Sequence, residues 1–333
     1  MSRATLYCGD AWAVLKALPA ESVQCVVTSP PYWGLRDYGM PGQLGLEVSP
    51  DDYVGRMVEV FAAVRDVLRD DGTLWLNVGD SYTSGGRETY GTWSPESKQA
   101  THTAIKDAKR SAQPTGLKPK DLVGIPWRLA FALQADGWWL RSDIVWSKPN
   151  PMPESVTDRP TKAHEYMFLL SKAERYYYDA AAIAEPSVYG DHARNGTPDY
   201  VAQAPGQPVQ TGITKRRRSV PRGGFGGKTE AMPGRNAFRA FTETRNARTV
   251  WEIPTQPYPG AHFASFPEEL ARRCILAGSR PGDTVLDPFA GSGTVAQVAT
   301  GNARDSIYID LNPKYLELAK QRIGPMLCDE CVA

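Results

Sequence analysis

The 333-residue sequence has little of what marks a secreted, membrane-spanning or metal-binding protein. Its five cysteines, Cys8, Cys25, Cys274, Cys328 and Cys331, are an odd and low number, which favours free thiols in a reducing compartment over a disulfide framework. No uncharged apolar run approaches the roughly 18 residues of a membrane span, and the first ten residues lack a signal-peptide core. These absences predict a soluble, cytoplasmic protein.

Metal ligands are also scarce. The four histidines share no ligand spacing. The single Cys328-x-x-Cys331 pair is half of a zinc site, and no second pair or nearby histidine completes it. We therefore expect no bound metal, and we interpret residues 326–333 as a tail.

Neither sign of charge dominates the chain, which has 38 Lys and Arg against 37 Asp and Glu. The average hides a local excess, because residues 215–248 hold ten basic and two acidic side chains, a charge of +8, which leaves −7 for the remainder. This concentration favours a phosphate-contacting surface over its alternative, a solvated and disordered charge run. The candidate phosphate contacts are Lys215, Arg216, Arg217, Arg218, Arg222, Lys228, Arg235 and Arg239.

Short apolar runs alternate with helix-period segments at both ends of the chain, a pattern typical of an α/β protein with a mostly parallel sheet and helices on both faces. Predicted strands cover residues 5–7, 23–27, 73–78, 138–146, 164–170, 284–287 and 306–310. Predicted helices cover residues 51–69, 125–135, 266–277, 293–300 and 313–323. The Asp70-Asp71-Gly72 sequence is expected to stop the first helix. Two stretches rich in Gly, Pro, Ser, Thr and charge, 84–119 and about 186–250, are predicted insertions.

A Gly-rich turn lies between a predicted strand and a predicted helix at residues 287–294, with the sequence Asp-Pro-Phe-Ala-Gly-Ser-Gly-Thr. Backbone N–H groups of such a turn meet a nucleotide-type ligand at the end of the strand. Its glycines alone also satisfy a dinucleotide fingerprint, but no P-loop lysine follows. Asp287 would repel a pyrophosphate, whereas it suits a ligand with an ammonium and a sulfonium group, as in S-adenosylmethionine. A helix-capping role is the alternative for Asp287, and Asp310 is placed to hold a ribose.

The sequence Thr28-Ser-Pro-Pro-Tyr32 follows the predicted strand 23–27 at the same carboxyl edge of the sheet. Pro31 has no N–H group, so the stiff turn presents carbonyl oxygens, while Ser29 adds a hydroxyl acceptor and Tyr32 a π face. Acceptors that hold the hydrogens of an exocyclic base amine would localise its lone pair and aim it at an electrophilic methyl group. Such an amine is unreachable inside a duplex, so the base must be flipped out. A Pro-Pro turn that only redirects the chain is the alternative.

Together these two motifs resemble those of the amino-methylating DNA methyltransferases, in the permuted order called β, with the catalytic motif first and the cofactor loop near the C-terminus. The resemblance implies a Rossmann-like, S-adenosylmethionine-dependent methyltransferase fold that is circularly permuted and carries an inserted target-recognition region. Further segments that are similar to the same family are Gly9-Asp10 and residues 73–80, 148–155, 159–160, 164–166 and 262–267.

The resemblance also implies residue roles and partners. The catalytic candidates are Ser29, Pro30, Pro31 and Tyr32. The cofactor-binding candidates are Asp10, Phe266, Asp287, Pro288, Phe289, Gly291, Gly293, Thr294 and Asp310. Double-stranded DNA is the implied partner of the basic insertion, and a cognate restriction endonuclease is left open as a second one. Lys148 and Asp80 are further candidates for contacting DNA, although each is more often a plain loop residue.

The first residue of the catalytic motif predicts the target base. In this family Ser-Pro-Pro-Tyr is mostly associated with N4-cytosine and Asp-Pro-Pro-Tyr with N6-adenine, so Ser29 predicts a site-specific cytosine-N4 DNA methyltransferase. The adenine enzyme is the alternative, because a hydroxyl and a carboxylate both accept an amine hydrogen. A more distant alternative is an enzyme that methylates an amide or an amine in RNA or protein. Attack through a cysteine on a ring carbon is not expected, since Pro-Cys does not occur.

The predicted organisation is a catalytic region at 1–185, the target-recognition insertion at 186–250, the cofactor-binding part at 251–325 and the tail.

Overall fold

The computed structural model describes residues 2–83, 91–92, 103–104, 116–187, 244–256 and 266–332. The strands are β1 (Ala4–Cys8), β2 (Val23–Thr28), β3 (Leu68–Val78), β4 (Gly91–Thr92), β5 (Thr103–Ala104), β6 (Trp139–Ser147), β7 (His164–Ser171), β8 (Glu185–Pro186), β9 (Thr244–Arg245), β10 (Val250–Glu252), β11 (Thr284–Asp287), β12 (Asp305–Asp310) and β13 (Cys328–Val332). The helices are α1 (Ala11–Ala17), α2 (Pro50–Val67), α3 (Ile125–Ala135), α4 (Glu268–Gly278), α5 (Thr294–Gly301) and α6 (Pro313–Ile323), and Pro325–Leu327 forms a 3₁₀ turn.

Nine of these strands form one sheet in the order β10-β6-β7-β3-β2-β11-β12-β1-β13. All neighbouring pairs are parallel except those of β7, which runs antiparallel to β3 and β6. The strand β11, near the C-terminal end of the chain, lies between β2 and β12. The predicted α/β Rossmann-like fold with permuted strand order is therefore confirmed.

Helices pack on the sheet in two groups. α1, α2 and α3 contact one another in series, as do α4, α5 and α6. The long helix α2 begins after Ser49, whose hydroxyl accepts a hydrogen bond from the Asp52 backbone N–H at 3.1 Å, with Pro50 at its first position. Its buried face, which includes Met57 and Phe61, packs into the main apolar cluster with β2 and β3. These layers fix the carboxyl ends of the central strands along one edge of the sheet.

Some element boundaries differ from the sequence predictions. α2 ends at Val67, and β3 begins at Leu68, so the Asp70-Asp71-Gly72 sequence lies inside a strand instead of stopping the helix. The pairing of β3 with β2 shifts register between Val23 and Cys25, and this irregularity accommodates the turn-like residues within the strand. α4 begins at Glu268, two residues later than predicted.

Eight short elements were not predicted: α1, β4, β5, β8, β9, β10, the 3₁₀ turn Pro325–Leu327 and β13. The last of them lies where a tail was expected. Cys328–Val332 instead pairs in parallel with β1 at the edge of the sheet. This contact joins the two ends of the described chain, so it leaves no local signal in the sequence.

The chain divides into one compact unit of residues 1–183 and 248–333 and a second of residues 184–247. In the second unit, β8 pairs antiparallel with β9, and Arg245 forms an ion pair with Glu185 at 3.3 Å. Most of the predicted insertions, 84–119 and 186–250, lie outside the described residues. No helix in the described ranges has the length and apolar character to cross a membrane.

Candidate active site

The two predicted motifs meet at the carboxyl edge of the sheet. β2 and β11 are adjacent, with Val26 paired with Leu286. Further along these strands, the Thr28 hydroxyl donates a hydrogen bond to Asp287 Oδ1 at 2.6 Å, and both side chains are buried. The two residues are 259 positions apart in sequence. This buried bond joins the last residue of β2, directly before Ser29, to the first residue of the cofactor loop.

Asp287 is a buried carboxylate at a strand tip. Its pKa is raised from 3.8 to about 7, mainly by burial and to a smaller extent by the neighbouring Asp310. The hydrogen bonds from the Thr28 hydroxyl and from the Phe289 N–H group, which lies 3.1 Å from Asp287 Oδ1, act in the opposite direction by stabilising the charged form. The carboxyl group can therefore change its charge near neutral pH.

Asp310 stands at the tip of the adjacent strand and holds the Gly-rich turn. Its two carboxylate oxygens accept hydrogen bonds of 2.8 Å from the Gly291 and Asn312 N–H groups. Burial raises its pKa to about 6. Gly293 starts α5 with a φ of +78°, and a Cβ there would lie within 2.7 Å of Ala319 on α6. Only glycine combines this backbone conformation with such a close helix approach.

The other predicted cofactor residues surround these carboxylates to different degrees. Pro288 is buried, and Phe289 is half-buried beside it. Asp10 is exposed and caps α1, because its Oδ1 accepts a hydrogen bond from the Ala13 N–H at 2.9 Å. The preceding Gly9 donates its N–H to the Asp310 carbonyl at 3.0 Å, which places this turn beside Asp310. Phe266 is half-buried and lies two residues before α4.

Arg322, which no sequence motif indicated, fixes the C-terminal part of the Gly-rich turn. Its guanidinium donates to the hydroxyls of Ser292 at 3.0 Å and Thr294 at 2.7 Å, and it forms an ion pair with Glu268 at 2.9 Å. The predicted cofactor residue Thr294 is therefore buried and bonded to an arginine from α6. A single basic residue on an amphipathic helix gives no sequence signal for this role.

In the target motif, the Tyr32 hydroxyl lies in a group of polar side chains. It is 2.7 Å from Glu165 Oε2 on β7, 3.1 Å from Asn77 Oδ1 on β3 and 3.3 Å from Ser29 Oγ. Burial and the charge of Glu165 hold the pKa of Tyr32 well above its usual value, so the phenol is neutral. Sequence analysis placed Tyr32 in the motif but did not find these partners.

The Tyr32 ring packs against the backbone of Gly79. A Cβ at position 79 would come closer than 3.0 Å to two carbons of the ring, so a side chain there would displace Tyr32. The Pro31 carbonyl accepts a hydrogen bond from the Tyr53 hydroxyl at 2.9 Å, so this oxygen has a partner within the protein. No donor in the described part of the chain contacts the Pro30 carbonyl.

Lys148 and Asp80 have structural partners. The Lys148 ammonium forms an ion pair with Glu165 and lies 4.3 Å from the centre of the Trp146 ring. Asp80 Oδ1 accepts hydrogen bonds from the Gly124 and Ile125 N–H groups at 2.9 and 3.0 Å, which caps α3.

The basic segment cannot be placed in this geometry. All eight predicted phosphate contacts, from Lys215 to Arg239, lie outside the described residues. Within the described ranges, no three His, Cys, Asp or Glu side chains form a group suited to a metal ion.

The residues at the cofactor edge fit S-adenosylmethionine. Asp287 and Asp310 lie on adjacent strand tips, and within the described ranges no cationic side chain is among the groups that set their pKa values. Burial without a counter-ion is the cause of their raised pKa values, and a cationic ligand would offset that cost. A permuted Rossmann-like sheet with two buried acidic strand tips beside a Gly-rich turn is the arrangement of a methyltransferase dependent on S-adenosylmethionine.

Comparison with known proteins gives the particular family. The chain belongs to the N6/N4 DNA methylase family, whose profile matches residues 23–321. It is 48% identical over 323 residues to the type II methyltransferase M.Cfr9I of Citrobacter freundii, a match that covers 97% of this chain and 88% of that protein. The enzyme is thus a DNA methyltransferase that uses S-adenosylmethionine.

Two solved structures share the fold. The TTHA0409 protein of Thermus thermophilus, in complex with S-adenosyl-L-methionine, is similar with a TM-score of 0.57 and 22% identity, covering 100% of this chain and 99% of that one. The PvuII DNA methyltransferase is similar with a TM-score of 0.60 and 18% identity, covering 97% of this chain and 86% of that one.

Proposed function

We propose that this enzyme methylates the exocyclic N4 amine of a cytosine flipped out of duplex DNA. The observation that carries the proposal is Ser29, a half-buried hydroxyl in the first position of the target motif, directly after the residue that bonds to Asp287. In this family Ser at this position is mostly associated with methylation of cytosine N4, so Ser29 favours cytosine over adenine. The PvuII enzyme, whose fold is similar, is named as cytosine-N4-specific.

The local chemistry supports transfer to an amine. The lone pair of an exocyclic amine is delocalised into the base, so the amine is a poor nucleophile until acceptors hold its hydrogens. Ser29 Oγ and the Pro30 carbonyl are the two acceptors that we assign to this task, with the Tyr32 ring as the surface on which the base stacks. No strong general base is needed, because the methylated amine is acidic while it is cationic.

The cofactor edge supplies the other half of the site. S-adenosylmethionine carries the electrophilic methyl group. We assign Asp287 to its cationic methionine end, Asp310 to its ribose and Asp10 to its adenine. The turn from Pro288 to Thr294 lies between the first two carboxylates.

We further propose that residues 186–250 form the target-recognition region and that their basic residues contact DNA phosphates. Because M.Cfr9I is a type II methyltransferase, a restriction endonuclease of the same specificity is the proposed cellular partner. Enzymes that modify cellular DNA in this way act in the cytoplasm.

The proposal is tested by incubating unmethylated plasmid with the enzyme, digesting the product to nucleosides and separating them by mass spectrometry. The expected product is N4-methylcytosine, and it should be absent with the Ser29→Ala enzyme. N6-methyladenine would refute the cytosine assignment while leaving amine methylation intact. Labelled methyl groups in RNA or protein but not in DNA would refute the substrate.

A further inference from the structure

The polar group around Tyr32 contains a carboxylate that the reaction described above does not use. Glu165 lies on β7, is only 16% exposed, and accepts a hydrogen bond from the Tyr32 hydroxyl at 2.7 Å. Its other oxygen is ion-paired with Lys148, which is 17% exposed. A buried ion pair costs desolvation energy and is weak evidence of a stabilising role. Its position beside the target motif points to the reaction instead.

The hydrogen count in this group decides the direction of each bond. Tyr32 has one hydroxyl hydrogen, and an ionised carboxylate only accepts. Asn77 also turns an acceptor toward Tyr32, since its amide nitrogen is used in donating to the Tyr166 carbonyl at 3.0 Å. The Tyr32 hydrogen therefore points to β3 and β7, away from Ser29.

The direction of the hydrogen bond between Ser29 and Tyr32 then follows. Ser29 Oγ lies 3.3 Å from the Tyr32 oxygen, which has given its own hydrogen to Glu165 and can only accept from Ser29. With its hydrogen donated to Tyr32, the Ser29 hydroxyl keeps its lone pairs for an outside donor. If the Ser29 hydroxyl were free to rotate, some of its orientations would point its hydrogen at a hydrogen of the amine, and the two would repel each other.

We propose that Glu165, paired with Lys148, is a positioning residue that fixes the Ser29-to-Tyr32 hydrogen bond and makes Ser29 an obligatory acceptor for the target amine. The inference rests on the proposed roles of Ser29 and Tyr32, and it applies to cytosine N4 and adenine N6 alike. Glu165→Gln keeps the shape of the side chain but removes the charged acceptor. It also introduces an NH₂ group that can donate to the Tyr32 oxygen and compete there with the hydrogen of Ser29.

The test measures single-turnover transfer of labelled methyl groups into unmethylated plasmid, with enzyme and cofactor saturating. Glu165→Gln should lower this rate about a hundredfold, the loss expected when a reacting group is misplaced. Its dissociation constant for S-adenosylmethionine should stay within about twofold of wild type. The matched control is Glu59→Gln on α2, which removes the ion-pair partner of Arg56 at 3.1 Å without touching Tyr32 and should leave the rate unchanged. A Glu165→Gln rate equal to that of the control would overturn the proposal.

A double-mutant cycle separates positioning from a purely structural role. Tyr32→Phe removes the hydroxyl through which Glu165 acts, so it should slow transfer on its own, and adding Glu165→Gln should cause no further loss. If the rate losses of the two single variants multiply in the double variant, the proposal is overturned. A normal rate for Tyr32→Phe would also overturn it, and this second result tests the proposal even if Glu165→Gln does not fold. Ser29→Ala distinguishes the two levels. If it is inactive while Glu165→Gln is normal, the inference fails and the proposed function stands; if Ser29→Ala is active, the proposed function itself fails.

Discussion

Removing the buried hydrogen bond between the two motifs should shift the pH dependence of cofactor binding. Thr28→Val deletes a hydroxyl that lies 2.6 Å from Asp287 Oδ1. In the wild-type protein this hydroxyl stabilises the charged form of the carboxylate. A hydrogen bond to a charged group contributes about 1.5 to 3 kcal/mol, and one pKa unit corresponds to about 1.4 kcal/mol. The pKa of Asp287, about 7 in the wild-type protein, should therefore rise by about one to two units.

The sign follows from the charge of the ligand. S-adenosylmethionine is cationic, so it binds the ionised carboxylate better, and its affinity should fall as pH decreases through the pKa of Asp287. Near pH 7.5 the Asp287 carboxyl group is ionised in most wild-type molecules. If Thr28→Val raises its pKa to about 8.5, roughly a tenth of the variant molecules have it ionised at that pH. We expect Thr28→Val to bind the cofactor about tenfold more weakly at that pH.

Isothermal titration calorimetry between pH 5.5 and 8.5 measures these affinities directly. Comparing variants at each pH cancels the titration of the ligand itself. Thr28→Ser retains the donor and should follow the wild-type curve. Superimposable curves for Thr28→Val and wild type would refute the assignment of Asp287 to the cofactor, as would a wild-type affinity that does not change with pH.

Three further predictions follow from individual contacts. Gly79→Ala places a methyl group on the Tyr32 ring, so single-turnover methyl transfer should fall at least tenfold with little change in cofactor affinity; equal losses in both would contradict the packing. Arg304 is buried and donates to the Ser279 carbonyl at 2.7 Å, so Arg304→Met should lower the free energy of unfolding in urea by about 2 to 4 kcal/mol, and an unchanged midpoint would argue against it. Neutralising residues 216–218 should reduce the slope of log DNA affinity against log salt by up to about 2.7, whereas an unchanged slope would remove these arginines from the phosphate contacts.

Much of the sheet and its helices could be predicted from proline and capping residues at the ends of elements. α3, β11 and α6 have the predicted bounds. Pro126 and Pro313 stand in the first turns of α3 and α6, where proline suits a helix, and Asn312 caps α6. The elements that were missed are short or depend on distant partners. β13 exists because it pairs with β1, and nothing within residues 328–332 indicates that partner.

The site divides in the same way. Gly and Pro motifs at strand ends are readable in sequence, so the sequence places Ser29 and Asp287 at the same edge of the sheet. Their partners come from elsewhere in the fold. Glu165 had two signals in the sequence: it lies in the family-like segment 164–166, and it is a carboxylate at the start of the otherwise apolar run 164–170. Neither signal indicates a role at Tyr32, because that contact requires the pairing of β7 with β3. The sequence signal for Asn77 was weaker, because the hydrogen-bond partner of a buried amide in a strand is known only once the strands are paired.

The central claim is that an acceptor turn holds the amine of an extrahelical base opposite the donor of the methyl group. A crystal structure of the enzyme with duplex DNA and a non-reactive cofactor analogue measures this directly. The account predicts a cytosine outside the helix, with its N4 within hydrogen-bond distance of Ser29 Oγ and the Pro30 carbonyl. A target base that remains stacked in the duplex, or an amine that faces away from Ser29 and Pro30, would contradict it.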